Sequence, residues 1–396
     1  MIYTDFQGEK LSMLGFGTMR LPLIPGGTGA DIDQEQVNAM TDYAIAHGVN
    51  YFDTAYPYHG SKSELAIGEA LSRHPRESFN IATKYPGHQI ASSYDPAGVF
   101  EEQLKKCRVE YFDFYLLHNV NEISVGIYND PKWAIPDYFI EQKKLGRIRH
   151  LGFSAHGSVE LMRDFLDRWG EHMEFCQIQL NYLDWSLQDA KGKCELLSEY
   201  GIPVWVMEPV RGGKLAKLDE ASEAKLRALR PDDSTASWAL RWVQGVPNVK
   251  MILSGMSNVE QMVDNVKTFS EDKPLSADER ELLLTFAEGM KNILPCTACR
   301  YCCDGCPMGL NIPFLISLCN DARVTPNDIN IAARYESLPE DKMASACIGC
   351  GACVKSCPQS IDVPAAMREL VGVLSTVPTW AQVCREREEA AKKLKG

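Results

Sequence analysis

The chain holds fourteen cysteines, and nine of them fall in two short runs. The first reads CTACRYCCDGCP (296–307) and the second CIGCGACVKSCP (347–358). Cys296, Cys299, Cys302 and Cys306, with a proline after the last, space as C-x2-C-x2-C-x3-C-P. Cys347, Cys350, Cys353 and Cys357 repeat that spacing. Thiolates spaced in this way hold cubane [4Fe–4S] clusters, and the fourth cysteine of each run serves the other cluster. One cluster is therefore expected on Cys296, Cys299, Cys302 and Cys357. The other is expected on Cys347, Cys350, Cys353 and Cys306. Cys303 has no slot in the scheme and reads as a spare thiol. CxxC pairs also build zinc sites of four thiolates, but those do not ask for eight cysteines with two terminal Cys-Pro steps.

A second set of residues is spread through the first part of the chain. Asp53, Lys84 and His118 each stand at the end of an apolar run: NYFDTA (50–55), FNIATKY (79–85) and YFDFYLLH (111–118). Tyr58 follows Asp53 by five residues, and Tyr56 lies two positions before it. Taken singly, each of these side chains reads as a surface group or a satisfied core group. Together they can do acid–base chemistry. An ammonium beside a phenol favours phenolate and lowers the phenol pKa from about 10, which suits it to act as a general acid.

Such a set needs a scaffold that brings strand ends together. Further runs lie at 13–21, 148–155, 175–182, 203–210 and 249–255, making eight with the three above. They are β-branched or aromatic and nearly continuous in apolar character, as expected of parallel strands covered on both faces. Helical patterns separate them. Asp33 reads as an N-cap and Gly48 as a C-terminal stop. Asp95-Pro96 pairs a cap with a proline at the first helical position, and Ser276 with Glu279 has capping-box spacing. Eight strand-plus-helix units in about 270 residues are the content of a (β/α)8 barrel. An open doubly wound sheet would begin with a GxGxxG turn, and neither GFGTMR (15–20) nor PGGTGA (25–30) fits it.

From about residue 10 to 270 the chain resembles the aldo-keto reductase family. The motifs that carry the resemblance are LGFGTMRLP, FDTAYPYHGSKSELAIGEAL, IATKY, DFYLLH, LGFSAH, QLNY and ILSGMSNVEQMVDN. It implies hydride transfer between a nicotinamide and an aldehyde, ketone or alcohol. Tyr58 would be the proton donor, Lys84 its neighbour, Asp53 the partner of Lys84, and His118 a second hydrogen bonder to the carbonyl. One departure is His59, which separates Tyr58 from Gly60 where the family has glycine directly after its tyrosine. For the nucleotide, the resemblance points to Ser154, Gln179 and Asn181 around the nicotinamide ring. Glu208, Arg211, Gly212 and Lys214 form a loop with cations for a pyrophosphate. Ser257 and Asn258, opening the last barrel helix, and Asn265 within it complete the expected contacts. Family members that prefer NADP carry Lys or Arg near the eighth loop, and residues 251–266 contain neither, so NAD and NADP both stay open.

The cysteine-rich part resembles the helical dicluster ferredoxin module, because the forty residues between its runs include NIPFLISLCNDARV and a second helical stretch around 331–335. The expected organisation is an α/β barrel over 1–290 and a mainly helical [4Fe–4S] domain over 291–396. The tail 380–396 reads as a charged, solvated helix. Composition agrees with a globular enzyme: of 396 residues, 45% are hydrophobic and 24% charged. The net charge of −12 argues against nucleic-acid or anionic-membrane partners. No apolar window is long enough to span a membrane, and the start, MIYTDFQGEK, lacks a signal-peptide pattern, so a cytoplasmic protein is expected. A small carbonyl or alcohol substrate is the expected partner, with an external ferredoxin-like electron carrier as a second. The rival readings are one-electron chemistry fed through the clusters and an electron-transfer protein with an idle barrel.

Overall fold

Residues 1–12, which no sequence pattern singles out, form an antiparallel hairpin of β1 (Tyr3–Phe6) and β2 (Glu9–Ser12). Each of the eight apolar runs then forms a strand. These are β3 (Leu14–Gly17), β4 (Tyr51–Asp53), β5 (Asn80–Tyr85), β6 (Phe112–Val120), β7 (Ile148–Ala155), β8 (Cys176–Gln179), β9 (Val204–Met207) and β10 (Val249–Ser254). They pair in parallel and in sequence order, and β10 returns to β3, so the sheet closes into a barrel. The α/β barrel expected from the sequence is the fold. This computed structural model describes residues 1–27, 29–89, 91–290, 293–294, 296, 300–357 and 361–394.

Burial explains why the strands read as unbroken apolar runs. All nine residues of β6 are buried, since helices cover one face and the barrel interior the other. The interior packs Tyr51, Ala82, Phe114, Trp205 and Met251 from five strands, with Phe175 from just before β8. The hairpin adds Phe6 and Leu11 to the same cluster. The Phe6 ring stands 4.9 Å from those of both Trp205 and His150. The hairpin thus closes the barrel end that holds the strand starts, which leaves chemistry to the opposite end.

The predicted helix signals act as read. Asp33 accepts from Gln36 N (3.1 Å) at the head of helix Gln34–Ala46, and Gly48 follows its end with φ +86°. Asp95 accepts from Gly98 N (2.8 Å) before helix Pro96–Cys107. The capping box is reciprocal: Ser276 N donates to Glu279 (2.7 Å) and Glu279 N to the Ser276 hydroxyl (3.2 Å). Helix Ala277–Met290 follows it.

By its contacts the chain divides into two units, Met1–Leu284 with Arg387–Gly396, and Thr285–Glu386. The expected boundary at 290 lies near this division, but the expected second domain reached 396, whereas its last ten residues group with the barrel. In the second unit, helices Ile312–Val324 and Val363–Leu374 pack Leu315, Ile316, Leu318, Ala366, Met367 and Leu370 into one core. Arg323 spans them with two bonds to Glu369, 2.7 and 2.6 Å. The expected helix around 331–335 is Ile329–Glu336.

The tail forms helix Trp380–Lys393, and here the solvated reading needs correction. Trp380, Cys384 and Ala391 are buried and Arg387 is half-buried. Positions spaced at i, i+4, i+7 and i+11 share one helix face, so the charged composition conceals a buried stripe. Among the described residues, no helix is long and apolar enough to cross a membrane.

Candidate active site and cysteine pocket

Strand ends bring Asp53, Lys84 and His118 to the barrel mouth opposite the hairpin, with Tyr58 in the turn after β4. Lys84 Nζ donates to Asp53 Oδ1 at 2.6 Å and to the Thr54 carbonyl at 2.7 Å. The ammonium lies 5.1 Å from the centre of the Tyr58 ring, with the phenol oxygen in hydrogen-bond reach. The His118 ring meets that of Tyr58 edge-on at 5.9 Å. The structure brings the four side chains together at this mouth.

Burial governs their protonation. It works to lower the Lys84 pKa, but Asp53 and Tyr58 outweigh it and hold the ammonium charged above its usual range. For Tyr58, burial raises the phenol above 10; Lys84 pulls it down, as expected, without reversing the sign. Burial, then the neighbouring His88 and Lys84, hold His118 well below 6.5, so its imidazole is neutral near pH 7. A neutral imidazole can donate a hydrogen bond to a carbonyl without a net charge.

The backbone aims these groups. The β6–β7 register shifts between Leu117 and Val120, and Asn119 adopts φ +57°. Such a bulge re-aims the side chains beside it. Tyr128 Oη donates to the His118 carbonyl (2.7 Å), and Asn119 N donates to Ser154 Oγ (2.8 Å). After β4, His59, Gly60 and Ser61 all have positive φ. His59 Nδ1 donates to the Gly29 carbonyl (2.7 Å) while Nε2 accepts from Leu21 N (3.1 Å). Those two bonds fix one tautomer, and they explain the departure at this position: His59 ties the tyrosine turn to the loop after β3. Tyr56 faces other partners. Its hydroxyl donates to Glu102 (3.3 Å) and Lys106 lies over its ring at 4.2 Å. That separates it from Lys84 and leaves Tyr58 as the phenol of the site.

The expected nucleotide contacts divide. Ser154 is buried at the end of β7 and Gln179 ends β8. Glu208 follows β9 with φ +56° and binds Arg20 at 2.7 Å. Asn181, expected at the nicotinamide ring, is spent inside its own loop. Its Nδ2 donates to Asp184 (2.6 Å) and the Glu208 carbonyl (2.9 Å), and its Oδ1 accepts from Leu183 N and Asp184 N. Arg211 is buried in an ion pair with Asp184, which ties it to the loop after β8. Gly212 and Gly213 have φ +62° and +91°, and a Cβ at Gly212 would stand 3.2 Å from Arg20. Burial and Arg211 lower the Lys214 pKa. Asn258 caps helix Val259–Ser270 through Gln261 N (2.8 Å), Ser257 N donates to Gln261, and Asn265 donates to Ser254 (2.6 Å). Arg20, His88 and His156 belong to this neighbourhood too. Sequence reasoning missed them, although Arg20 closes the GFGTMR motif just past β3.

In the second unit, one pocket of about 340 Å³, counting its open mouth, is lined by Cys347, Cys350 and Cys353 together with Cys306. This is the cross-run quartet expected from spacing. Gly349 and Gly351, both with positive φ, wind the loop between its thiols, and Leu310, Ile312 and Val363 give it an apolar wall. In the other expected quartet, burial and the nearby Cys303 and Cys296 lift the Cys302 thiol to about 12. Cys357 is half-buried, and Cys299 lies outside the described residues. Among the described residues, no three His, Cys, Asp or Glu side chains gather as around a single ion. A cubane spreads its four thiolates over four irons, so the thiol-lined pocket fits a cluster.

Fold and site together define a barrel oxidoreductase that carries an iron–sulfur module. The chain belongs to the aldo/keto reductase family, whose model matches residues 13–284, and a 4Fe-4S dicluster domain matches residues 290–358. It is 29% identical over 218 residues to the probable aldo-keto reductase 1 of Glycine max, covering 52% of this chain and 58% of that relative's length. It is 25% identical to the NADH-specific methylglyoxal reductase of Escherichia coli, over 71% of this chain and 96% of the relative. Among solved structures, the holo form of aldo-keto reductase AKR11C1 from Bacillus halodurans superposes with a TM-score of 0.57 at 26% identity, covering 72% and 96% of the two chains.

Proposed function

We propose that this protein interconverts a small carbonyl compound and its alcohol, with Tyr58 as proton donor, and that its C-terminal module carries two [4Fe–4S] clusters. A bound nicotinamide would supply or accept the hydride. The observation that carries the reading is Lys84 held between the Asp53 carboxylate and the Tyr58 phenol, beside a neutral His118. In reduction, Tyr58 and His118 hydrogen-bond the carbonyl oxygen, and Tyr58 gives its proton as negative charge grows there. Lys84 stabilises the phenolate left behind, and Asp53 holds Lys84 in place. Ser154 and Gln179 line the ring side of the site. The dinucleotide is read as NADH: residues 251–266 carry no Lys or Arg for a 2′-phosphate, and the Escherichia coli relative is NADH-specific by name. The clusters would sit on Cys347, Cys350, Cys353 and Cys306, and on Cys296, Cys299, Cys302 and Cys357.

Tyr58→Phe removes only the proton donor, which is worth on the order of 10²–10⁴ in rate. The expected result is that reduction of an aldehyde such as methylglyoxal falls by that factor while NADH titration is unchanged. Near wild-type turnover in Tyr58→Phe, with loss in Tyr56→Phe, would overturn the assignment.

A further inference from the structure

Arg387 stands at the start of the tail segment, Arg387–Gly396, that groups with the barrel. It is half-buried on the same helix face as Cys384 and Ala391. One turn on, the Ala390 methyl would lie 3.6 Å from a Cβ at Gly60, two residues past Tyr58. Ala390 therefore lies against the turn that carries the phenol. The Arg387 charge acts on His88 and His118, whose rings lie 4.3 Å apart, both buried. His156 acts on both rings as well. The barrel mouth thus gathers Lys84, Arg387 and three imidazoles. Arg387 adds a positive charge here, while burial holds His88 and His118 neutral and Asp53 offsets Lys84. An anionic group on a substrate suits that charge, and a carboxylate matches a guanidinium fork with two parallel bonds.

We propose that Arg387 is a specificity-determining residue that binds a carboxylate carried by the carbonyl substrate, whose reacting oxygen lies at Tyr58 and His118. The inference deepens the reductase reading and rests on it. His118 joins the two halves of the site, since its ring meets Tyr58 on one hand and lies within reach of the Arg387 charge on the other. A substrate with a carboxylate near its carbonyl would be held at both ends, which orients the carbonyl for transfer.

The test uses the full chain with its clusters, NADH, and the pair benzaldehyde and 4-carboxybenzaldehyde. The wild type is expected to favour the carboxylated aldehyde by about tenfold or more in kcat/KM, and Arg387→Gln to reduce that ratio by about tenfold. Arg387→Lys, which keeps the charge and loses the fork, should fall between them. Calorimetric binding of terephthalate to the NADH-loaded protein should weaken in the same order. If both aldehydes are reduced and the ratio is the same in Arg387→Gln, the carboxylate site is wrong and the reductase reading stands. If neither aldehyde is reduced but terephthalate binding depends on Arg387, the reductase reading fails and the anion site stands.

Discussion

At the scale of single residues, burial sets protonation more strongly than partners do. Tyr58 shows the balance, for Lys84 lowers its phenol while burial wins. The imidazoles show it more plainly. Burial is the largest cause holding both His118 and His88 well below 6.5 in the folded protein, whereas in the unfolded chain each titrates near about 6.5. As pH falls below that value, the unfolded chain takes up protons that the folded one refuses. Stability must then fall with pH, by up to about 1.4 kcal/mol per pH unit for each imidazole. Urea unfolding followed by tryptophan fluorescence under nitrogen should show the midpoint dropping between pH 6.5 and 5.5. His118→Asn should make that drop shallower. An equal slope in the variant would show that His118 charges freely in the folded state. Asp53, Tyr58, Lys84 and His118 were legible because each sits at or just past the end of a recognisable strand. Arg387 was not, because nothing local marks a charged residue in a charged helix as one that returns to the barrel.

At the scale of elements, the eight barrel strands were legible because burial on both faces leaves unbroken apolar runs. The hairpin was not, since in YTDF and EKLS polar residues outnumber the inward-facing Phe6 and Leu11. The network that ties the loops after β8 and β9 together was not legible either. Asn181 and Arg211 looked free to meet a ligand, yet Asp184 draws both into one buried network, a pairing that no spacing rule reveals. The cysteine runs are the opposite case, because cluster geometry dictates spacing so tightly that a grouping of Cys306 with Cys347, Cys350 and Cys353 is readable from sequence, and the four line one pocket. That pocket yields a prediction. Anaerobically prepared protein should carry about eight irons per chain. Cys306→Ser, which removes a thiol from the pocket of Cys347, Cys350 and Cys353, should reduce the iron to about four. Cys303→Ser, outside both quartets, should leave it unchanged. Equal loss in the two variants would show that the runs share ligands in some other way.

At the scale of the whole molecule, the proposed function joins two kinds of redox chemistry that count electrons differently. The reductase reading moves a pair of electrons as hydride, and each [4Fe–4S] cluster accepts one. Exchange between them normally needs a flavin to divide the pair, and the sequence displays no recognisable flavin fingerprint. NADH is therefore expected not to reduce the clusters directly. They would serve a one-electron partner of the ferredoxin type, or tie together the two cysteine runs of the segment Thr285–Glu386. Protein prepared under nitrogen without dithionite should keep its cluster absorbance, at about 400 nm for thiolate-bound clusters, when mixed with NADH. Dithionite, a one-electron donor, should bleach the same band. If NADH bleaches it within the time of one aldehyde turnover, the separation fails. Hydride arriving at the Tyr58 site would then have to be split within the protein, and the barrel would be the entry point of a chain that ends at the clusters.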